Sequence, residues 1–158
     1  MKNWVRLTIS IALPVAVGAI SGFFTTPEIN TWYKTIRKPD WQPPNWLFGP
    51  VWTTLYILMG IAFYLVWKSQ APTEKKRMAI ILWLVQLVLN FFWSFVFFRR
   101  HQINWALGEI IVLWFFILLT IFSFARIQKL AAWLLVPYIA WVSFATILTY
   151  TIYHLNRI

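Results

Sequence analysis

The amino-acid sequence predicts an all-α membrane protein, a bundle of five transmembrane helices with a long structured loop between the first two. Three observations carry this. Of the 158 residues 61% are hydrophobic and 11% charged, whereas a soluble domain carries about 25% charged residues, so there is too little charge to coat a water-soluble globule. The charges also fall in clumps. Residues 7–27, 41–67, 78–98 and 130–156 contain no Asp, Glu, Lys or Arg, and 101–125 is interrupted only by Glu109. Each stretch reaches the about 20 apolar residues that cross about 30 Å of hydrocarbon. Two-residue alternation, the mark of a membrane barrel, is absent. Five spans use about 100 residues, which leaves room for one domain, 1–158, and short connections.

The first span is expected at 5–25, with Lys2 and Arg6 ahead of it and Pro14 inside it. Ala19-Ile20-Ser21 resembles a signal-peptide cleavage site, but the run from Leu7 to Phe24 is long for a signal core, so it is read as a retained helix. Gly18 and Gly22, four apart, allow another helix to approach closely, and packing within the molecule is favoured over dimerisation. The connection 26–45 holds Trp32-Tyr33 and Lys38-Pro39-Asp40-Trp41-Gln42-Pro43-Pro44. Its prolines stiffen it and its aromatic rings would be costly to leave in water, so it is expected to fold over the helix ends as a pocket lid; an interfacial aromatic anchor is the alternative. The remaining spans are expected at 46–68, starting near Gly49-Pro50, at 77–98, at 104–125, and at 130–154, which contains Pro137. Neighbouring helices can satisfy the backbone groups that these prolines release.

An odd number of spans puts the termini on opposite sides. Lys2, Arg6, Lys68, Lys75, Lys76, Arg77, Arg126 and Lys129 lie on the N-terminal side, against Lys34, Arg37, Lys38, Arg99, Arg100 and Arg157 opposite. That bias favours a cytoplasmic N-terminus. The net charge of +10 sits at helix ends, where it meets membrane lipid rather than nucleic acid. There is no cysteine, so neither disulfides nor thiol chemistry enters. His101 and His154 are poorly placed to ligate a metal together, and no metal site is expected. Glu109, one turn inside the fourth span, is expected to snorkel or to pair with Arg99 or Arg100, and a lone acid does not make a proton relay. Leu148, Tyr153 and Arg157 match the loose sterol-contact pattern.

Most of the 12 tryptophans read as boundary anchors, but Trp52, Trp93, Trp114 and Trp141 lie deeper. Helical spacing groups some of them with other residues. Gln86, Asn90 and Trp93 share a face of the third span; Phe48, Trp52, Tyr56 and Met59 share one on the second; Tyr138, Trp141, Ala145 and Leu148 share one on the fifth. If these faces meet, they enclose an aromatic pocket with a few hydrogen-bonding groups, suited to a flat apolar ligand. A solid bundle joined by interhelical hydrogen bonds is the other reading.

The motifs Trp32-Tyr33 with Lys38–Pro44, Gly49-Pro50-Val51-Trp52-Thr53-Thr54-Leu55-Tyr56, Gln86-Leu87-Val88-Leu89-Asn90 with Trp93, and Pro137-Tyr138-Ile139-Ala140-Trp141 with Phe144-Ala145-Thr146 are together highly specific. Through them nearly the whole chain resembles the translocator protein family, also called tryptophan-rich sensory proteins or peripheral-type benzodiazepine receptors. The resemblance implies a five-helix bundle, commonly a homodimer, in a bacterial cell membrane. It implies binding of porphyrins and of isoquinoline-carboxamide or benzodiazepine-type drugs, with no cofactor required. By position in the matching motifs, the pocket would be lined by Tyr33, Pro43, Trp52, Tyr56, Asn90, Trp93, Trp141, Ala145 and Leu148, with Trp105 and Gly108 from the fourth span. The resemblance also implies a role for Trp52 and Trp141 in light- and oxygen-dependent porphyrin breakdown, with the porphyrin as ligand or substrate. Transport of porphyrins or lipids is the alternative function. Two departures stand out: Thr149 replaces an Asn found in many members, and the sequence stops at Ile158 without the basic extension of animal forms, which weakens any expectation of cholesterol binding.

Overall fold

The computed structural model describes residues 1–157. Its helices are α1 (Asn3–Asn30), α2 (Trp32–Thr35), α3 (Asn45–Lys68), α4 (Thr73–Ser94), α5 (Ile103–Ala125), α6 (Lys129–Leu134) and α7 (Val136–Leu155). Five units are long and apolar enough to cross a membrane: α1, α3, α4 with the π-helical turn Phe95–Arg99 that prolongs it, α5, and α6 continued by α7. The described residues contain no strand. The all-α, five-span class expected from the charge pattern is the observed one.

Several boundaries differ from the expected ones, each for a physical reason. Helix α1 runs to Asn30 rather than 25, through Pro27. Tertiary contacts sustain this last turn, because the Glu28 carboxylate lies 2.9 Å from His101 Nε2 and 3.7 Å from Arg99. With α2 also helical, the irregular part of the 26–45 connection shrinks to 36–44. Helix α4 starts at Thr73 rather than 77, since the run Glu74–Arg77 marks the edge of the apolar layer and not the end of the helix. The fifth span breaks at Leu135. Pro137 has no N–H to offer the carbonyl four residues back and its ring crowds that turn, so Leu135 N closes a tighter bond to Ala132 O at 3.1 Å.

Helices α1 and α3 pack along one another, as do α4 and α5, and α5 and α7. The closest backbone approach is at Gly60 of α3, where a Cβ would lie 2.5 Å from Ile11 Cα on α1. Gly18 admits the Tyr56 ring, whereas Gly22 faces open space, so only one of the two small residues expected to pack closely does so. Trp83, which no spacing argument singled out, is fully buried and stacks on Phe63 with ring centroids 4.5 Å apart.

Candidate functional site

Between α1, α3, α4 with its π turn, and α7 lies a cavity of about 580 Å³, within the roughly 300–1,000 Å³ of small-molecule sites. Helix α3 supplies a flat aromatic platform, because Trp52 and Tyr56 are one turn apart and their rings stack at 5.6 Å and 29°. Helix α7 supplies Trp141, Ala145, Leu148 and Thr149. Trp93 of α4 stacks on Phe97 at 5.3 Å and 20°. They are four residues apart, and the wider π turn begins between them. Helix α1 closes the remaining side with small residues, among them Gly18, Ala19 and Gly22.

A directed chain of hydrogen bonds underlies the platform. Tyr56 Oη donates to Asn90 Oδ1 at 2.6 Å, Asn90 Nδ2 donates to Tyr138 Oη at 2.8 Å, and Tyr138 Oη donates to Gln86 Oε1 at 2.8 Å. All four side chains are buried. In so apolar a surrounding each unmade bond would be costly, so the chain fixes the tilt of Tyr56 and with it the ring of Trp52. On the walls, the indole N–H groups of Trp93 and Trp141 are buried and have no partner. Thr149 donates its hydroxyl to Ala145 O on its own helix at 2.7 Å.

At one end of the cavity sits Tyr33, whose burial pushes its phenol up to about 12. Lys38 Nζ reaches back to the carbonyls of Tyr33 and Ile36 and lies over the Tyr33 ring, 4.8 Å from its centroid. Partial burial pulls the Lys38 ammonium below the usual lysine range. The irregular segment is tied to the end of α7, where the Asn156 carboxamide accepts from Arg37 N at 2.9 Å and donates to Arg37 O at 2.8 Å. Trp41 meets the edge of Phe144 at 5.9 Å.

Of the residues expected to line the pocket, the structure brings Tyr33, Trp52, Tyr56, Trp93, Trp141, Ala145 and Leu148 to one cavity. Asn90 lies behind the platform, spending its amide on Tyr56 and Tyr138. Pro43 is half-buried in the loop and away from the cavity wall. Trp105 and Gly108 do not line it either. Helix α5 packs behind α4 and α7 and turns Trp105 outward, 70% exposed, with open space beside Gly108. Glu109 is not paired with Arg99 or Arg100: Arg99 is engaged with Glu28, and both Glu109 carboxyl oxygens are buried without a partner. Leu148 faces the cavity while Arg157 lies over the Tyr153 ring near the surface, so the three residues of the sterol-contact pattern do not form one site. Spacing missed the contribution of α1, whose Gly, Ala and Thr side chains carry no chemical signature of a wall.

Residues 10–155 match the model of the TspO/MBR family. The chain belongs to the TspO/MBR family. It is 43% identical over 155 residues to the Tryptophan-rich protein TspO of Chlorobaculum tepidum, covering 98% of each chain. It is 40% identical to the Tryptophan-rich protein TspO of Archaeoglobus fulgidus over 98% of this chain and 99% of the other. With the human Translocator protein it shares 41% identity over 127 residues, 80% of this chain and 75% of the human one. Membership of the TspO/MBR family and five apolar helices together make this an integral membrane protein of the translocator and tryptophan-rich sensory group. The four motif segments read from the sequence all fall inside the TspO/MBR match.

Proposed function

We propose that this protein binds porphyrins in the cavity between α1, α3, α4 and α7, as a membrane sensor or handler of tetrapyrroles. The observation that carries this reading is the stacked Trp52–Tyr56 pair forming one wall of a largely apolar space of about 580 Å³, with Trp93 and Trp141 on the other walls. A flat, conjugated ring system matches that aromatic lining and that volume. Isoquinoline-carboxamide and benzodiazepine-type drugs, also flat and carrying a carbonyl acceptor, fit the same description. The proposal includes a bacterial cell membrane, a homodimer, and a cytoplasmic N-terminus, the last resting on the excess of basic residues at that end.

The test is saturable quenching of tryptophan fluorescence by protoporphyrin IX in detergent-solubilised protein. Trp141→Ala, and Asn90→Ala acting through Tyr56, weaken binding in folded protein; unchanged affinity in both variants overturns the reading. Illumination of the complex under oxygen tests the further role of Trp52 and Trp141 in porphyrin breakdown. Equal product from Trp52→Phe, Trp141→Phe and the unaltered protein removes those indoles from it.

A further inference from the structure

We propose that Arg6 and Lys76, arranged about Trp67, form a site for the phosphate of an anionic phospholipid headgroup. The start of α1, the α3–α4 turn and the α5–α6 turn gather at one end of the bundle. Eight basic side chains lie there with a single acid, Glu74, and that acid is engaged by Arg77 at 2.8 Å. At the opposite end Arg99 has Glu28 as a carboxylate partner. The cations around Trp67 are held instead by neutral groups. The Arg6 guanidinium lies over the Trp67 ring, 5.8 Å from its centroid, and Lys76 Nζ donates to the carbonyls of Trp67 and Ser69 at 3.0 Å each.

Among the described residues neither cation is paired with a carboxylate, and an ammonium has three donors of which Lys76 uses two. Two positive groups from different helices are thus fixed against one residue, one on its ring and one on its carbonyl. A planar guanidinium paired with an ammonium matches the oxygens of a phosphate. The depth of the site selects its source. Arg6 and Trp67 stand at the ends of membrane-spanning helices, and Trp4, two residues before Arg6, is exposed, which is the level at which lipid phosphates lie. The occupant is therefore a lipid headgroup rather than a free ion. The site lies at the far end of α3 from Trp46 and Phe48, which line the cavity, and does not depend on what the cavity binds.

The experiment uses the full chain in phosphatidylcholine-containing micelles, titrated with phosphatidylglycerol and, separately, with inorganic phosphate. Native mass spectrometry counts retained lipid, and unfolding temperature follows stabilisation. The expected result is a saturable phosphatidylglycerol adduct that stabilises the protein and is weakened about tenfold or more by Arg6→Gln with Lys76→Gln. Lys75→Gln, one residue away and exposed, leaves it unchanged. Should the double variant fail to fold, Lys76→Gln alone is expected to weaken the adduct about fivefold. Equal retention of phosphatidylcholine and phosphatidylglycerol, equal weakening by Lys75→Gln, or equal stabilisation by inorganic phosphate would each overturn the proposal.

Discussion

The imidazole of His101 lies flat on the indole of Trp32, with ring centroids 4.2 Å and planes 10° apart. The same ring places Nε2 2.9 Å from Glu28, so one side chain joins α1, α2 and the turn before α5. It does so from a left-handed backbone conformation, φ 55°. Replacing His101 by Ala removes stack and hydrogen bond while keeping that backbone strain, whereas Gly removes all three. His101→Gly is therefore expected to be more stable than His101→Ala by about 1 kcal/mol, with both below the unaltered protein. Thermal unfolding followed by circular dichroism in one detergent would decide it, and the reverse order of Gly and Ala would refute it.

Tyr138 both accepts from Asn90 and donates to Gln86. Tyr138→Phe leaves Asn90 Nδ2 and Gln86 Oε1 buried and unpaired, a loss of about 1–3 kcal/mol in stability. Because the chain also sets the Tyr56 ring, protoporphyrin affinity is expected to fall although Tyr138 does not line the cavity. Unfolding and quenching titrations on the same preparation would read both effects.

The glycines separate by what a methyl group would meet. At Gly60 it meets the α1 backbone at Ile11 and Ser10, at Gly18 the Tyr56 ring, and at Gly22 nothing within 4 Å. Gly60→Ala is expected to destabilise by about 1–3 kcal/mol, since backbone cannot rotate away. Gly18→Ala displaces a ring whose hydroxyl is tied to Asn90, so it is expected to weaken ligand binding. Gly22→Ala is expected to stabilise by about 0.5–1 kcal/mol through helix preference alone. A destabilised Gly22→Ala would contradict the open space assigned there.

Burial raises the Tyr33 phenol from 10.0 to about 12. The unfolded chain then releases this proton first, so stability is complete below about pH 10 and declines from there to about pH 12, by on the order of 1–3 kcal/mol. Lys38, lowered by burial, acts in the opposite sense. The comparison is therefore Tyr33→Phe against the unaltered protein with Lys38 present in both. Tyr33→Phe is expected to lose less stability over that window, and parallel pH profiles would count against the assignment.

The five spans are legible in the sequence because charge is excluded from hydrocarbon, and clumps of Lys, Arg and Glu mark its edges directly. Helix ends are less so: Thr73–Arg77 is helical beyond the apolar layer, and the last turn of α1 depends on Glu28 finding Arg99 and His101 about seventy residues on. Periodicity placed Trp52 with Tyr56, and Trp141 with Ala145 and Leu148, on faces that do line a cavity. It grouped Asn90 with Trp93 correctly on one helix but not by depth, since the amide turns to neighbouring hydroxyls while the indole reaches the cavity. Trp105 and Gly108 rested on resemblance alone, and the packing of α5 behind its neighbours sets them apart.

The paired bonds between Asn156 and Arg37 make the last turn of α7 a fastening for the segment beside Tyr33. A fusion attached close behind Asn156 is expected to strain that fastening, and the disturbance to arrive at the Tyr33 end of the cavity rather than at the bundle's far face. Affinity handles and reporters joined ahead of Lys2 are therefore expected to disturb the Tyr33 end of the cavity less than those at the carboxyl end.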